Sequence, residues 1–470
     1  MKAAIWLIGL LSLPAISQAD TDRDEALPGL KRAATYYRET VAFQGGYVYY
    51  YSPDLSKRLG EGVATATEVW VQPPGTPAVG RAFLKAFAAT DDRYYLEAAL
   101  EAGNALRYGQ LESGGWRNSI DFDPAGPRID QYRNGKGKGK NFSSLDDDIT
   151  QSALRFLIEL DEATGRQDAA IREAVQYGLE RLLAAQFPNG AFPQGWNAPV
   201  EKRPALPASF PEYDWKTEGR IKNYWDHYTL NDGAAGAITD LLITAHDTYG
   251  EPQFLDALTK LGDFLIQAQL PEPQRGWAQQ YGPEMHPIWA RAFEPPAVSG
   301  RESEDAMIAL LKIAARTGEK RFLEPVVPGV KYLESSLLPD GQLARYYELE
   351  TNRPLYMQRS GGGYELTYDD SNLPDHYGWK NSPQLELIKE AYRSLAVSGN
   401  LDGVFQSPVP DERMIREILF HLDDKGGWLT KHEPDGPRLV GQPKFQPGEE
   451  YLSSAVFVEN VTALARFLGR

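Results

Sequence analysis

The chain has 470 residues, 42% of them hydrophobic and 24% charged, with 65 Asp and Glu against 49 Lys and Arg and no cysteine. Lack of cysteine excludes disulfides, thiolate catalysis and cysteine-ligated metal sites, so stability has to come from packing. A formal net charge of −16 argues against nucleic acid or an anionic membrane as partner. The same field repels a polyanionic substrate at long range, so binding one requires a local basic cleft or a bridging cation.

Taken in chain order, Lys2, the apolar run Ala3 to Leu13 and Ser17-Gln18-Ala19 before Asp20 read as a secretory signal peptide over residues 1–19. The run is short for a bilayer span and no later stretch approaches that length. The mature chain, residues 20–470, is therefore expected to be soluble, periplasmic or secreted, and to form one domain and a monomer. Gly46 to Tyr51, with Val48 and three tyrosines, is the best candidate strand.

Helical periodicity then dominates. Ala99 to Trp116, Ala174 to Trp196 and Ala257 to Trp277 each run as a helix into a Gly-containing turn and a tryptophan, through Gln110-Leu111, Gln186-Phe187 and Gln269-Leu270. Weaker copies run from Val326 to Arg345 and from Glu417 to Trp428. Partner helices lie between them at Pro77 to Ala89, Ile149 to Thr164, Ala234 to Tyr249 and Glu302 to Thr317, several closing at Gly. Self-similarity at this period means stacked helical hairpins. The expected fold is mostly α, an (α/α) toroid with few short strands and a groove where the hairpin loops meet. Gly135 to Lys140, alternating Gly and Lys, is expected to be mobile. Asn197 to Asn223 carries Pro199, Pro204, Pro207 and Pro211 and reads as a long surface excursion, ordered by its aromatic residues.

Chemistry-bearing residues sit where hairpins begin. Asp146-Asp147-Asp148 precedes the helix at Ile149. One Asp suffices as an N-cap, whereas three repel each other unless a cation lies among them, and carboxylate oxygens suit calcium. A solvated cap and a cation or catalytic site both remain open on these residues. Asn231-Asp232-Gly233 has the same placement before Ala234. Arg291 lies in a proline-bounded segment with Glu294 nearby, where a structural salt bridge is the plain alternative. Arg345 and Arg359 sit among tyrosines, suited to gripping a carboxylate and stacking on a sugar. The six histidines have no metal-ligand spacing, and no HExxH, GxSxG or phosphate loop occurs.

Together, LDDDITQSALRFL, AAQFPNGAFPQGW, YTLNDGAAG, GWAQQYGPEMHPIWARAFEPPAVSGRES and ARYYELETNRPLY resemble, in order, the pectate lyases of polysaccharide lyase family 10, over roughly residues 140–363. The resemblance implies an (α/α) toroid and calcium-dependent β-elimination of an anionic polysaccharide, pectate or a related polyuronate. It implies Arg291 as the base at C5, Asp146, Asp147 and Asp232 as calcium ligands, and Arg345, Arg359, Asp146 and Asn231 as substrate contacts. An arginine base needs its ordinarily high pKa lowered, which calcium and neighbouring arginines would do. Asp147 and Asp148 stand where the family pattern leads one to expect Asn and a small residue, and Arg301 replaces a small residue. Two rival readings are an (α/α) glycoside hydrolase using Asp146 and Asp147, and a non-catalytic carbohydrate-binding homologue.

Overall fold

The computed structural model describes residues 18–470 apart from 202, 204 and 437. All but the last two residues of the expected leader lie outside the described residues. The helices are α1 (Gln18–Tyr36), α2 (Thr76–Thr90), α3 (Arg93–Gly109), α4 (Ile149–Ala163), α5 (Ala169–Ala184), α6 (Ala234–Tyr249), α7 (Pro252–Ala268), α8 (Gly300–Thr317), α9 (Val326–Ser335), α10 (Leu385–Ser398), α11 (Glu412–Phe420) and α12 (Ser454–Leu468). No helix among the described residues is long and apolar enough to cross a membrane.

Local chemistry sets their limits. Asp92, Asp168, Ser299 and Ser453 cap α3, α5, α8 and α12 by accepting first-turn N–H bonds. Pro77 pre-sets the first turn of α2, and Gly250, Gly318 and Gly399 end α6, α8 and α10 in the left-handed conformation.

The helices form the expected (α/α) toroid. Helices α12, α2, α4, α6, α8 and α10 pack side by side in that order. A second row, α1, α3, α5, α7 and α9, lies against α12, α2, α4, α6 and α8 in turn. The repeat read from the sequence is carried by hydrogen bonds as well as apolar periodicity. Gln110, Gln186 and Gln269, each just past an outer helix, use Nε2 to reach two carbonyls. One lies in the following turn: Gly114 at 2.9 Å, Gly190 at 3.0 Å and Arg275 at 3.0 Å. The other lies in or just before the next outer helix: Ala174, Ala257 and Pro325, each at 2.9 Å. The indoles of Trp116, Trp277 and Trp428 donate back to Leu106, Leu265 and Ile418 of the helix that precedes each turn. At the inner-helix starts, Thr150 and Ser303 hydroxyls accept from the backbone N–H of Trp116 and Trp277 at 3.1 and 2.8 Å.

Strands are short. Tyr50–Tyr51 pairs with Arg58–Leu59 and Glu450–Ser453, which pairs in turn with Leu429–Lys431, so the expected Gly46–Tyr51 strand contracts to its last two residues. The longest hairpin joins Pro354–Ser360 to Gly363–Thr367.

Residues 135–140 were expected to be mobile, but the segment lies against its neighbours: Lys140 accepts from Gln131 N at 3.0 Å. A Cβ at Gly137 or Gly139 would overlap the carbonyl oxygens of Asp130 and Ile129. The glycines permit close approach of two backbones, a use that composition alone does not distinguish from flexibility. The 197–223 excursion is held down as expected. Ala208 N donates to Gln267 O at 2.7 Å, and Trp289 Nε1 donates to Trp215 O at 2.8 Å.

Candidate functional site

The two acidic helix starts are the same local structure used twice. Asp147 and Asp232 adopt φ of 45° and 53°, followed by Asp148 and Gly233 at 61° and 74°. These kinked turns abut one another at the starts of neighbouring helices α4 and α6. Left-handed backbone at a non-glycine residue is strained and concentrates at functional sites. The kink also removes the capping option left open by the sequence, since no side-chain cap bond forms at α4 or α6. Asp148 leaves the group and pairs with Arg155.

One carboxylate oxygen from each of Asp146, Asp147 and Asp232 falls within 4.8 Å of the others. Oxygens that close can share one cation at calcium–oxygen distances of about 2.3–2.6 Å. The donors are all hard oxygens, and the buried Oε1 of Gln194, whose amide holds Asp146, lacks a partner. The residues present therefore fit calcium.

Arg291 spans the acidic group. Its Nη2 lies 2.7 Å from Asp146 Oδ2, and its Nη1 lies 3.3 Å from Asp232 Oδ2 and 2.9 Å from Glu294 Oε1. Glu294 is itself buried and accepts from Arg291 N at 2.9 Å and from Tyr377 OH at 3.2 Å. Arg345 is 2% exposed. It pairs with the fully buried Glu302 at 2.7 Å and more loosely with Asp232 at 3.4 Å.

Protonation follows from this arrangement. Burial first, then Asp232 and its neighbours, push Asp146 and Asp147 above the usual carboxylate range, and Glu61 adds to the rise at Asp147. Burial also opposes charge on Asp232, but Arg345 and Arg291 outweigh it and hold that carboxyl low. For Arg291 the expected lowering is reversed in the protein alone. Burial does lower it, yet Glu294, Asp146 and Asp232 overcome that and raise the guanidinium above its ordinary value. Glu294 beside Arg291 is visible in the sequence, whereas the approach of Asp146 and Asp232 to the same guanidinium is not.

Other expected residues are distributed unevenly. Asp146, Asp147, Asp232, Arg291, Arg301 and Arg345 line one cleft of about 630 Å³. Asn231 is buried, with both side-chain polar atoms unpartnered, and does not line that cleft. Arg359 is exposed on the long hairpin, 5.3 Å over the Tyr364 ring, and is also absent from the lining. Arg301, exposed on the lining, makes no ion pair or hydrogen bond among the described residues.

The cleft reaches beyond roughly residues 140–363, the stretch that carries the family resemblance. Glu61 and Gln72 form part of the lining from the N-terminal side, and Arg438 to Gln442 form part of it from the C-terminal side. Gln72 Nε2 donates to both Asp147 and Glu61 at 3.0 Å. Nothing in the sequence around Gln72-Pro73-Pro74 signals that contact.

The fold and cleft define a class: an (α/α)-toroid protein with a carboxylate cluster threaded by guanidinium groups. Residues 110–383, more than half of the chain, match the pectic acid lyase family, and the chain belongs to that family and is a lyase. No curated protein matches. Among solved structures the chain is similar to a variant of the family 10 polysaccharide lyase of Cellvibrio cellulosa in complex with trigalacturonic acid. That pair shares 20% identity over 68% of this chain and 97% of the other, with a TM-score of 0.47. It is also similar to a cellobiose 2-epimerase from Bacillus thermoamylovorans, at 15% identity over 94% and 99% of the two chains with a TM-score of 0.46.

Proposed function

We propose that the protein is an exported, monomeric pectate lyase that cleaves polygalacturonate by calcium-assisted β-elimination, with residues 20–470 acting as one catalytic domain. The observation that carries the reading is Arg291 bridging Asp146 and Asp232 on the cleft lining. Asp146, Asp147 and Asp232 would hold the cation, and Arg291 would take the C5 proton. As that C–H bond breaks, the C4=C5 double bond forms and the C4–O4 bond breaks, the departing O4 taking a proton from solvent to become the hydroxyl of the released fragment. The new non-reducing end is a 4,5-unsaturated uronide.

The C5 proton is weakly acidic, so the substrate carboxylate must be neutralised for the enolate-like charge to develop. Bound calcium supplies that positive charge and also offsets the carboxylates that otherwise keep the Arg291 proton in place. Arg345, fixed by Glu302, supplies a second preorganised positive charge. Arg359 would contact substrate further from the reacting carbon, Arg301 offers an unengaged guanidinium to a uronate carboxylate, and Asn231, buried off the lining, is not available to substrate as the sequence suggested.

The hydrolase alternative fits less well. The cleft is lined by the guanidinium groups of Arg291, Arg301 and Arg345, which suit an anionic rather than a neutral sugar. Ultraviolet absorbance tests the reading directly. Purified protein incubated with polygalacturonate and calcium should generate the absorbance of a conjugated double bond, and chelation should stop it. Saturated products, or silence at both neutral and alkaline pH, would refute the proposal.

A further inference from the structure

The hairpin between Leu429–Lys431 and Glu450–Ser453 carries a long connection whose residues 438–442 line the catalytic cleft. This strap touches opposite walls. On the N-terminal wall, Tyr50 OH donates to Val440 O at 3.1 Å, and a Cβ on Gly441 would meet the Gly60 carbonyl at 2.7 Å, next to Glu61. On the other wall, Gln442 Nε2 donates to His376 O at 3.0 Å and Arg438 donates to the same carbonyl. His376 stands beside Phe293, ring centroids 4.9 Å apart, and Phe293 also meets Tyr377, so this wall is aromatic.

The strap is anchored at its base. Phe445 stacks on Tyr451 at 4.5 Å and 8°, and stands perpendicular to Tyr50 at 5.6 Å. It lies wholly outside residues 110–383, the part of the chain that matches the family.

Within the cleft the strap presents a charge that makes no direct ion pair among the described residues, Asp375 acting on it only at longer range. Arg438 is exposed and makes no ion pair among the described residues, although Arg291 and Arg345 on the same lining are both held by carboxylates. A guanidinium is suited to bidentate capture of a carboxylate. An anchored segment that joins both walls of a groove closes it to a continuous polymer at that point. The remaining space, about 630 Å³, is of the size that takes a small ligand or short oligosaccharide.

Resting on the lyase reading above, we infer that the strap makes the enzyme act at a chain end, with Arg438 binding the carboxylate of the terminal uronate. The substrate class is therefore a free end of polyuronate or a short oligouronide.

Absorbance, viscosity and product size followed together on polygalacturonate with calcium test this inference. The expected result is one short unsaturated product from the earliest time point, with viscosity falling slowly against absorbance. A ladder of product sizes with early loss of viscosity would overturn chain-end action while leaving the lyase reading intact. No absorbance would instead sink the lyase reading. On a defined trimer, Arg438→Ala should raise KM about tenfold with kcat changed less, and Arg438→Lys should recover part of the loss. An unchanged KM in Arg438→Ala would remove the arginine from the end site. Arg438 is exposed, so the substitution should leave folding intact, and its thermal unfolding would verify that.

Discussion

Replacing Glu304 with glutamine should make folding less sensitive to pH between about 4.5 and 7. The side chain is fully buried on α8 and accepts from the backbone N–H of Gln384, at the start of α10, and from Asn381 Nδ2 at 3.2 Å. Burial raises its pKa from 4.5 to about 7, and the two hydrogen bonds only partly offset that. The folded protein thus keeps a proton that the unfolded chain releases. Stability from this group is complete below about pH 4.5 and is lost as pH rises through about 7. Over that window the loss is about 3 kcal/mol, from roughly 1.4 kcal/mol per unit. Glutamine has no proton to lose. It should cost about 1 kcal/mol at pH 5 through poorer hydrogen bonding, gain about 2.5 kcal/mol against wild type between pH 5 and pH 8.5, and so be about 1.5 kcal/mol the more stable at the higher pH. Urea unfolding of both proteins at the two pH values measures this, and the difference between them isolates Glu304 from every other titrating group. A difference independent of pH would refute the assignment of a buried, proton-retaining carboxyl.

Other predictions concern the site. Arg291→Ala should lower kcat by about 10²–10⁴-fold, the range for loss of a general base, with binding of an oligouronide largely retained; near-normal turnover would remove Arg291 from that role. Calcium affinity measured by calorimetry should weaken as pH falls, beginning above the ordinary carboxylate range, because the raised Asp146 and Asp147 must lose protons to bind metal. Affinity constant down to pH 4 would contradict this. Activity should in turn peak at alkaline pH, since the carboxylate-held Arg291 must give up a proton; a pH–rate profile with an acidic optimum would count against the arginine base. Glu302→Leu leaves Arg345 buried without its nearest partner and should destabilise the fold by about 3–5 kcal/mol, read as a fall in the urea midpoint. A midpoint unchanged from wild type would mean that Asp232 alone can hold the guanidinium.

The toroid was legible because each repeat announces itself locally, through a glutamine, a glycine turn and an aromatic residue at regular spacing. Asp146, Asp147 and Asp232 were legible for the same reason, as matching acids before matching helices. Their geometry was not. Left-handed backbone at Asp147 and Asp148 gives no sequence signal where glycine is absent, and the pairing of Asp148 with Arg155 depends on side-chain direction. Long-range partners were also hidden. Glu302 meets Arg345 from 43 residues away, each in a different one of the quoted stretches, and Gln72, in none of them, meets Asp147 from 75. The strap carrying Arg438 comes from a segment whose composition reads as an ordinary polar loop.

Gln110, Gln186 and Gln269 have a consequence for how this ring can change. Each ties one turn to its own backbone and to the next outer helix, so the angular step between hairpins is set by amide–carbonyl geometry. Apolar side chains can then vary from one hairpin to the next without altering the step. Adjacent helix starts stay in register as they diverge, and one turn can become Asp-Asp-Asp while its neighbour remains Asn-Asp-Gly. The invariant spacer allows two copies of one motif to become unlike halves of a single asymmetric centre.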